Sequence, residues 1–199
     1  MRPDERDPRK LIIDMATRLF AALGYDATSL EAIAGATDFG VRTISDLVGD
    51  KQTLYRIVMD RVEASERAMF DAAIIEFTPD RAGLHRLVDR TLDHYLTHPE
   101  LAALWMHRWQ SDAADIPELE RVYVRPTFSR FRELIGELVP ADSDADMVLL
   151  TFIWCIHCFC VGGFITGESM DEGQEKPIML ERFRAHLHRL ADVLFGLEQ

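Results

Sequence analysis

Apolar residues recur along this chain every three or four positions, and no stretch alternates in the manner of a half-buried strand. Leu11, Ile12, Met15, Ala16, Leu19, Phe20 and Leu23 form one stripe, and Gly24 marks its stop. Thr28 is placed to open a second helix as a hydroxyl cap, with Glu31 three positions on as in a capping box; Leu30, Ile33 and Ala34 then face inward. A break at Asp38–Gly40 leads into a short helix ending near Val48. Gly49 and Asp50 make the next turn, with Asp50 as a cap, before a long helix over 51–76 whose inner face carries Leu54, Ile57, Val58 and Val62.

Beyond residue 77 the predicted helices are longer and less evenly spaced. Thr78-Pro79 breaks the chain before a helix over 81–97, and His98-Pro99 separates that from one over 100–112. Ile116-Pro117 introduces a helix reaching Leu138, which Pro126 should kink or split, because proline lacks an amide proton and its ring crowds the preceding turn. Helices over 143–166 and 177–196 follow, joined by the polar stretch "GESMDEGQEK". The pattern predicts an all-α chain: a three-helix head over 1–55, a linking helix over 51–76, and a larger helical domain over 77–199.

Composition sharpens this picture in two places. Hydrophobic residues make up 48% of the 199, so there is ample material for a core. The formal net charge is −12, the wrong sign for coating nucleic acid non-specifically. The first sixty residues hold eight basic against ten acidic side chains, and the rest fourteen against twenty-four, so the acidic excess lies mainly outside the head. The run 147–166 has no charged residue over a length that spans a bilayer. Acidic residues precede it, no basic cluster flanks it closely and His157 sits within it, which favours a helix buried in a core or an oligomer interface over a membrane span. The N-terminus lacks the apolar run of a secretory signal, and Cys155, Cys158 and Cys160 are too crowded for a disulfide framework; a cytoplasmic protein is expected.

Three short helices with a tight turn between the second and third are the outline of a helix-turn-helix, whose third helix enters the major groove. The ordered string Ala16, Phe20, Gly24-Tyr25, Thr28, Ile33-Ala34, Thr43-Ile44, Lys51 and Leu54 resembles the N-terminal domain of the tetracycline-repressor-type (TetR) family of transcriptional regulators, from residue 12 to residue 55 without insertion. The resemblance implies a homodimeric, ligand-responsive regulator, a repressor on a palindromic operator, with no enzymatic activity and no cofactor. The matched positions leave Arg42, Thr43, Ser45 and Lys51 as donors to DNA, with Thr28 or Ser29 at the start of the second helix. The departures fall on the reading surface. The family commonly has glycine where Asp38 stands, a helix-capping serine at Gly40, a tyrosine at Ser45, aromatic or histidine side chains at Asp46 and Leu47, and a core phenylalanine at Val48.

Arg42 has the fork to take a guanine edge, Lys51 and the helix N-termini suit phosphates, Val41 or Leu47 suits a thymine methyl, and Asp46 can accept from cytosine N4. The same apolar-acidic face also suits a protein surface, so a TetR-like dimer serving as a protein-partner or ligand-binding module without DNA stands as the alternative.

In the larger domain the resemblance implies a small-ligand pocket and dimerisation through the helices over 143–166 and 177–196. Trp105 and Trp109 share a helical face, as do Phe128 and Phe131. With Phe152 and His157 they are the expected lining of a pocket for a hydrophobic or aromatic ligand, with His107, Tyr123 and Arg108 as further polar handles; ordinary core packing explains each ring equally well. Gly162-Gly163 suits close helix approach. "WCIHCFC" lacks four convergent zinc ligands and its C-x-x-C lies mid-helix, so its cysteines read as small hydrophobes and no metal is expected. No phosphate-cradling glycine loop, G-x-S-x-G or H-E-x-x-H is present.

Overall fold

The computed structural model describes residues 7–162 and 172–197. All regular structure among them is helical. Asp7 caps α1 (Pro8–Leu23) by accepting from the Arg9 amide at 3.0 Å, and Gly24, at φ 82°, ends it. Then come α2 (Leu30–Gly35), α3 (Val41–Val48) and α4 (Lys51–Ile75). The cap of α2 is Ser29, whose hydroxyl accepts from the Ala32 amide at 3.1 Å. Thr28, expected in that role, turns inward instead: it is 1% exposed and donates to the Gly24 carbonyl at 2.6 Å. Asp50 caps α4 as expected, accepting from the Thr53 amide at 2.8 Å.

Further along, Asp80 caps α5 (Arg81–Thr97), and α6 spans Pro99–Trp109. The helix expected from residue 117 to 138 is shorter and changes type along its length. A π-helical turn, Glu120–Val124, precedes α7 (Arg125–Ile135) and puts Pro126 in the second position of the new helix. The missing amide proton of Pro126 falls at this junction, where the backbone passes from the wider π turn into the α-helix. The last helices are α8 (Ala145–Gly162) and α9 (Glu172–Leu194). Helix α9 starts five residues before the expected boundary, within the polar stretch, and carries Pro177 inside it. Gly163, named from sequence as a site of close helix approach, lies outside the described residues.

Two compact units emerge, and they are not sequential. One comprises residues 1–65 and 100–124, the other 66–99 and 125–199. The first is therefore larger than the expected 1–55 head, because α6 and the π turn belong with it. Its centre holds Ile12, Ile13, Ala16, Phe20, Ile33, Ile44, Leu54, Tyr55, Val58 and Met59, all without exposed surface. Tyr55 meets Phe20 edge-on at 5.1 Å and Tyr25 at 4.8 Å. Leu23, the last residue of the expected stripe, is exposed, while Ile13 is fully buried.

The second unit packs α5 against α8 and α9, and α7 against α8. Its core includes Ala73, Leu84, Leu87, Ile135, Val148, Leu149, Ala191 and Phe195. Helix α8 is long and apolar enough to cross a membrane by length and composition. In this unit Val148, Leu149, Ile156 and His157 are its buried side, and Met147, Trp154, Cys158 and Val161 its exposed side.

Candidate nucleic-acid interface

Helix α3 has two sides. Ile44 and Val48 are sealed into the first unit's core, which fixes how the helix is rotated. That rotation sends Arg42, Thr43, Asp46 and Leu47 outward, with Val41 and Ser45 at the flanks, half-buried. Arg42 and Asp46 stand one turn apart on the open side. Val48, the smaller residue where the family has phenylalanine, still plugs the core. No side chain caps the N-terminus of α3, since Gly40 occupies that position, and its first amides remain open to an anion.

The flanking donors are held by their neighbours. Lys51, the first residue of α4, lies over the Tyr25 ring with Nζ 4.1 Å from its centroid and donates to the Asp26 carbonyl at 3.4 Å. Ser29 accepts the Ala32 amide, which leaves its hydroxyl proton for an outside acceptor. Thr28, expected among the DNA contacts, is the correction: its hydroxyl is buried and spent on Gly24. Asp50 stays ionised, since its bonds to Thr53 hold its carboxyl below the usual range, and it adds negative charge beside the turn.

The expected pocket residues fall into two groups. Trp105 and Trp109 belong to the first unit, where Trp105 is buried and Trp109 partly exposed. Phe128, Phe131 and Phe152 belong to the second and pack on its core cluster, with Phe131 4.5 Å from Phe70. His157 is buried in the second unit, its ring centroid 4.2 Å from that of Tyr95. The suggested polar handles serve other bonds: His107 Nε2 lies 3.1 Å from the Ala21 carbonyl, Tyr123 donates to Asp60 at 2.8 Å, and Arg108 donates to the Asp112 carbonyl and to Glu120.

The cysteines are free thiols; burial pushes Cys155 up and Cys160 up to about 11, away from redox reactivity. Among the described residues no three His, Cys, Asp or Glu side chains gather as metal ligands. What sequence reasoning missed in the first unit is Asp112, which accepts from the Tyr25 and Asp26 amides at 2.7 and 2.8 Å. A contact 86 residues away in the chain leaves no local signal.

Residues 12–56 match the family described as bacterial regulatory proteins, tetR family. YhgD, an uncharacterized HTH-type transcriptional regulator of Bacillus subtilis (strain 168), is 22% identical over 144 residues, covering 69% of this chain and 75% of that protein. Among solved structures, the fatty acid degradation regulator FadR from Bacillus halodurans is similar with a TM-score of 0.67 at 14% identity over 97% of each chain. A TetR-like transcriptional regulator from Rhodococcus sp. RHA1 gives a TM-score of 0.65 at 16% identity, over 94% of this chain and 96% of that one. The structures speak to the fold: all-α, with the helix-turn-helix at the N-terminus. The family match falls on α1 to α3 and the start of α4, the same residues that build the candidate interface.

Proposed function

We propose that this protein is a homodimeric, ligand-responsive transcriptional regulator, a repressor that places α3 of each subunit in the major groove of one half of a palindromic operator. The observation that carries the reading is the outward side of α3, where Arg42, Thr43, Asp46 and Leu47 are exposed on a helix locked by Ile44 and Val48. Arg42 offers a bidentate donor to guanine, Asp46 an acceptor for cytosine N4, and Leu47 an apolar contact for a thymine methyl. Lys51, Ser29 and the open amides of α3 supply phosphate contacts. The dimer joins through α8 and α9, and the larger helical domain takes a hydrophobic or aromatic ligand.

Dimerisation is supported by the spacing of the exposed side of α8. Met147, Trp154, Cys158 and Val161, with half-buried Thr151 among them, follow a four-three-four-three repeat, the seam of a helix that packs against another helix. Beside it, Phe159, Met179, Arg182, Phe183 and His186 line a groove in which the rings of Phe159 and Phe183 stack at 3.9 Å.

The test is a fluorescence-anisotropy titration against duplexes enriched from genomic DNA by the protein itself. A recurring palindrome is expected, with Arg42→Ala losing about tenfold or more in affinity and relaxing preference at one base position. Lys51→Ala should weaken all sequences alike. Wild-type affinity in both variants would remove α3 and α4 as the reading elements.

A further inference from the structure

A short loop behind the reading head is built to hold it. After α6 the chain passes through Ser111 and Ala113 with φ of 68° and 55°, left-handed values that side chains other than glycine avoid. Between them stands Asp112. Its Oδ2 accepts the Tyr25 amide at 2.7 Å and its Oδ1 the Asp26 amide at 2.8 Å, so one carboxylate takes both consecutive donors of the α1–α2 turn. Arg108 Nη1 donates to the Asp112 carbonyl at 2.5 Å, and His107 Nε2 meets the Ala21 carbonyl at 3.1 Å. Gly24 completes the fit. At φ 82° it turns the chain so that both amides face the carboxylate, and a Cβ there would stand 3.0 Å from Asp112 Oδ1. Strain on one side and a glycine on the other converge on this single contact.

The same turn carries Lys51. Its ammonium rests on the Tyr25 ring and donates to the Asp26 carbonyl, so the two residues whose amides Asp112 fixes are the two that seat the cation. Resting on the regulator reading above, we propose that Asp112 is a positioning residue for DNA binding: it fixes the α1–α2 turn against the loop after α6, and through Tyr25 and Asp26 it places the Lys51 ammonium for a backbone phosphate. Displacement of the α6 loop then releases the head's phosphate contact without touching α3.

Asp112→Asn is the informative variant because it keeps the shape but replaces one acceptor oxygen with an amide nitrogen that faces a backbone N–H. The assay is anisotropy on a duplex selected by the wild-type protein, over a salt series, with circular dichroism and a thermal melt on each sample. Asp112→Asn is expected to lose about tenfold in affinity, and the slope of log K against log salt should flatten by about 1.8, one phosphate contact in each of two heads. Lys51→Ala added to Asp112→Asn should cost little more, since both remove the same contact. Wild-type affinity and slope in Asp112→Asn overturn the proposal. So does a loss that leaves the slope unchanged and adds in full to Lys51→Ala, which marks a role in folding alone. Should Asp112→Asn melt below the assay temperature, amide exchange in the wild type decides: protection at Tyr25 and Asp26 is expected, and free-turn exchange rates overturn the contact. A wild-type protein that binds no selected duplex fails differently, because it sinks the regulator reading itself.

Discussion

His157 shows how one buried side chain sets a pH dependence. Its ring is 2% exposed beside Tyr95. Burial, which penalises the charged imidazolium, pushes its pKa from 6.5 down to about 3. The folded chain therefore keeps the imidazole neutral across a range in which the unfolded chain protonates it. Between pH 6.5 and 3 the unfolded state binds more protons, so stability falls as pH is lowered, by up to about 1.4 kcal/mol per pH unit from this residue. Denaturant titrations of wild type and His157→Leu at pH 6.5 and 5 should differ in their pH effect by about 2 kcal/mol, with the wild type losing more. Equal pH slopes would show that His157 is protonated in the folded chain. At this scale the sequence was readable where one residue has one role, as with the Gly24 stop and the Asp50 cap. It misled where two hydroxyls adjoin. Thr28 and Ser29 both suit an N-cap by type, and the turn angle, which no local pattern specifies, gave the cap to Ser29 and sent Thr28 inward.

Between elements, α5 and α9 carry the same spaced triplet: Arg81, His85 and Asp89 on one, Arg184, His188 and Asp192 on the other. The two triplets bond reciprocally. Asp192 accepts from Arg81 through both oxygens, at 2.8 and 2.5 Å, and lies 2.8 Å from His85 Nε2; Asp89 accepts from Arg184 at 2.8 Å and lies 2.8 Å from His188 Nε2. At the middle the rings of His85 and His188 stack 4.2 Å apart, 9° from parallel. Asp192 is the more enclosed acid, with 8% of its side chain exposed, and its bond from Arg81 holds its carboxyl below the ordinary 3.8. Asp192→Ala removes the carboxylate that Arg81 and His85 share and should cost about 1–3 kcal/mol at neutral pH. A lowered carboxylate pKa contributes stability above its unfolded value and loses it as pH falls through the folded one, so the gap between variant and wild type should close in acid. A cost below about 0.5 kcal/mol at pH 7 would reduce the ladder to surface decoration. Each triplet keeps an i, i+4, i+8 spacing, which in one helix alone reads as an ordinary charged face. Its meaning is not local, because pairing across 95 to 111 residues depends on which helices become neighbours. The irregularity at Pro126 was legible for the opposite reason, since its cause is local.

Scaled to the whole molecule, the same division holds. Helix order and the reading head follow from periodicity and caps, whereas the assignment of α6 to the first unit rests on contacts that only the fold creates. The net charge of −12 also acts at this scale. It opposes approach to DNA, and with few cationic side chains on each head a single head should hold a duplex weakly. Affinity then depends on joining two heads, because a linked second site binds at an effective concentration that raises avidity by about 10² to 10⁴. Trp154 tests this dependence. It sits on the four-three repeat of α8, 46% exposed in the single chain and remote in sequence from every proposed DNA contact. A charge there has no cost in an isolated chain but is buried when two copies pack on this side. Trp154→Lys should therefore run as a folded monomer in sedimentation, with the helical signal of the wild type, and lose about a hundredfold or more on the full palindrome. On a duplex carrying one half-site the two proteins should bind alike. A dimeric Trp154→Lys would move the interface off α8, and a monomer with undiminished affinity for the palindrome would mean that each head binds on its own.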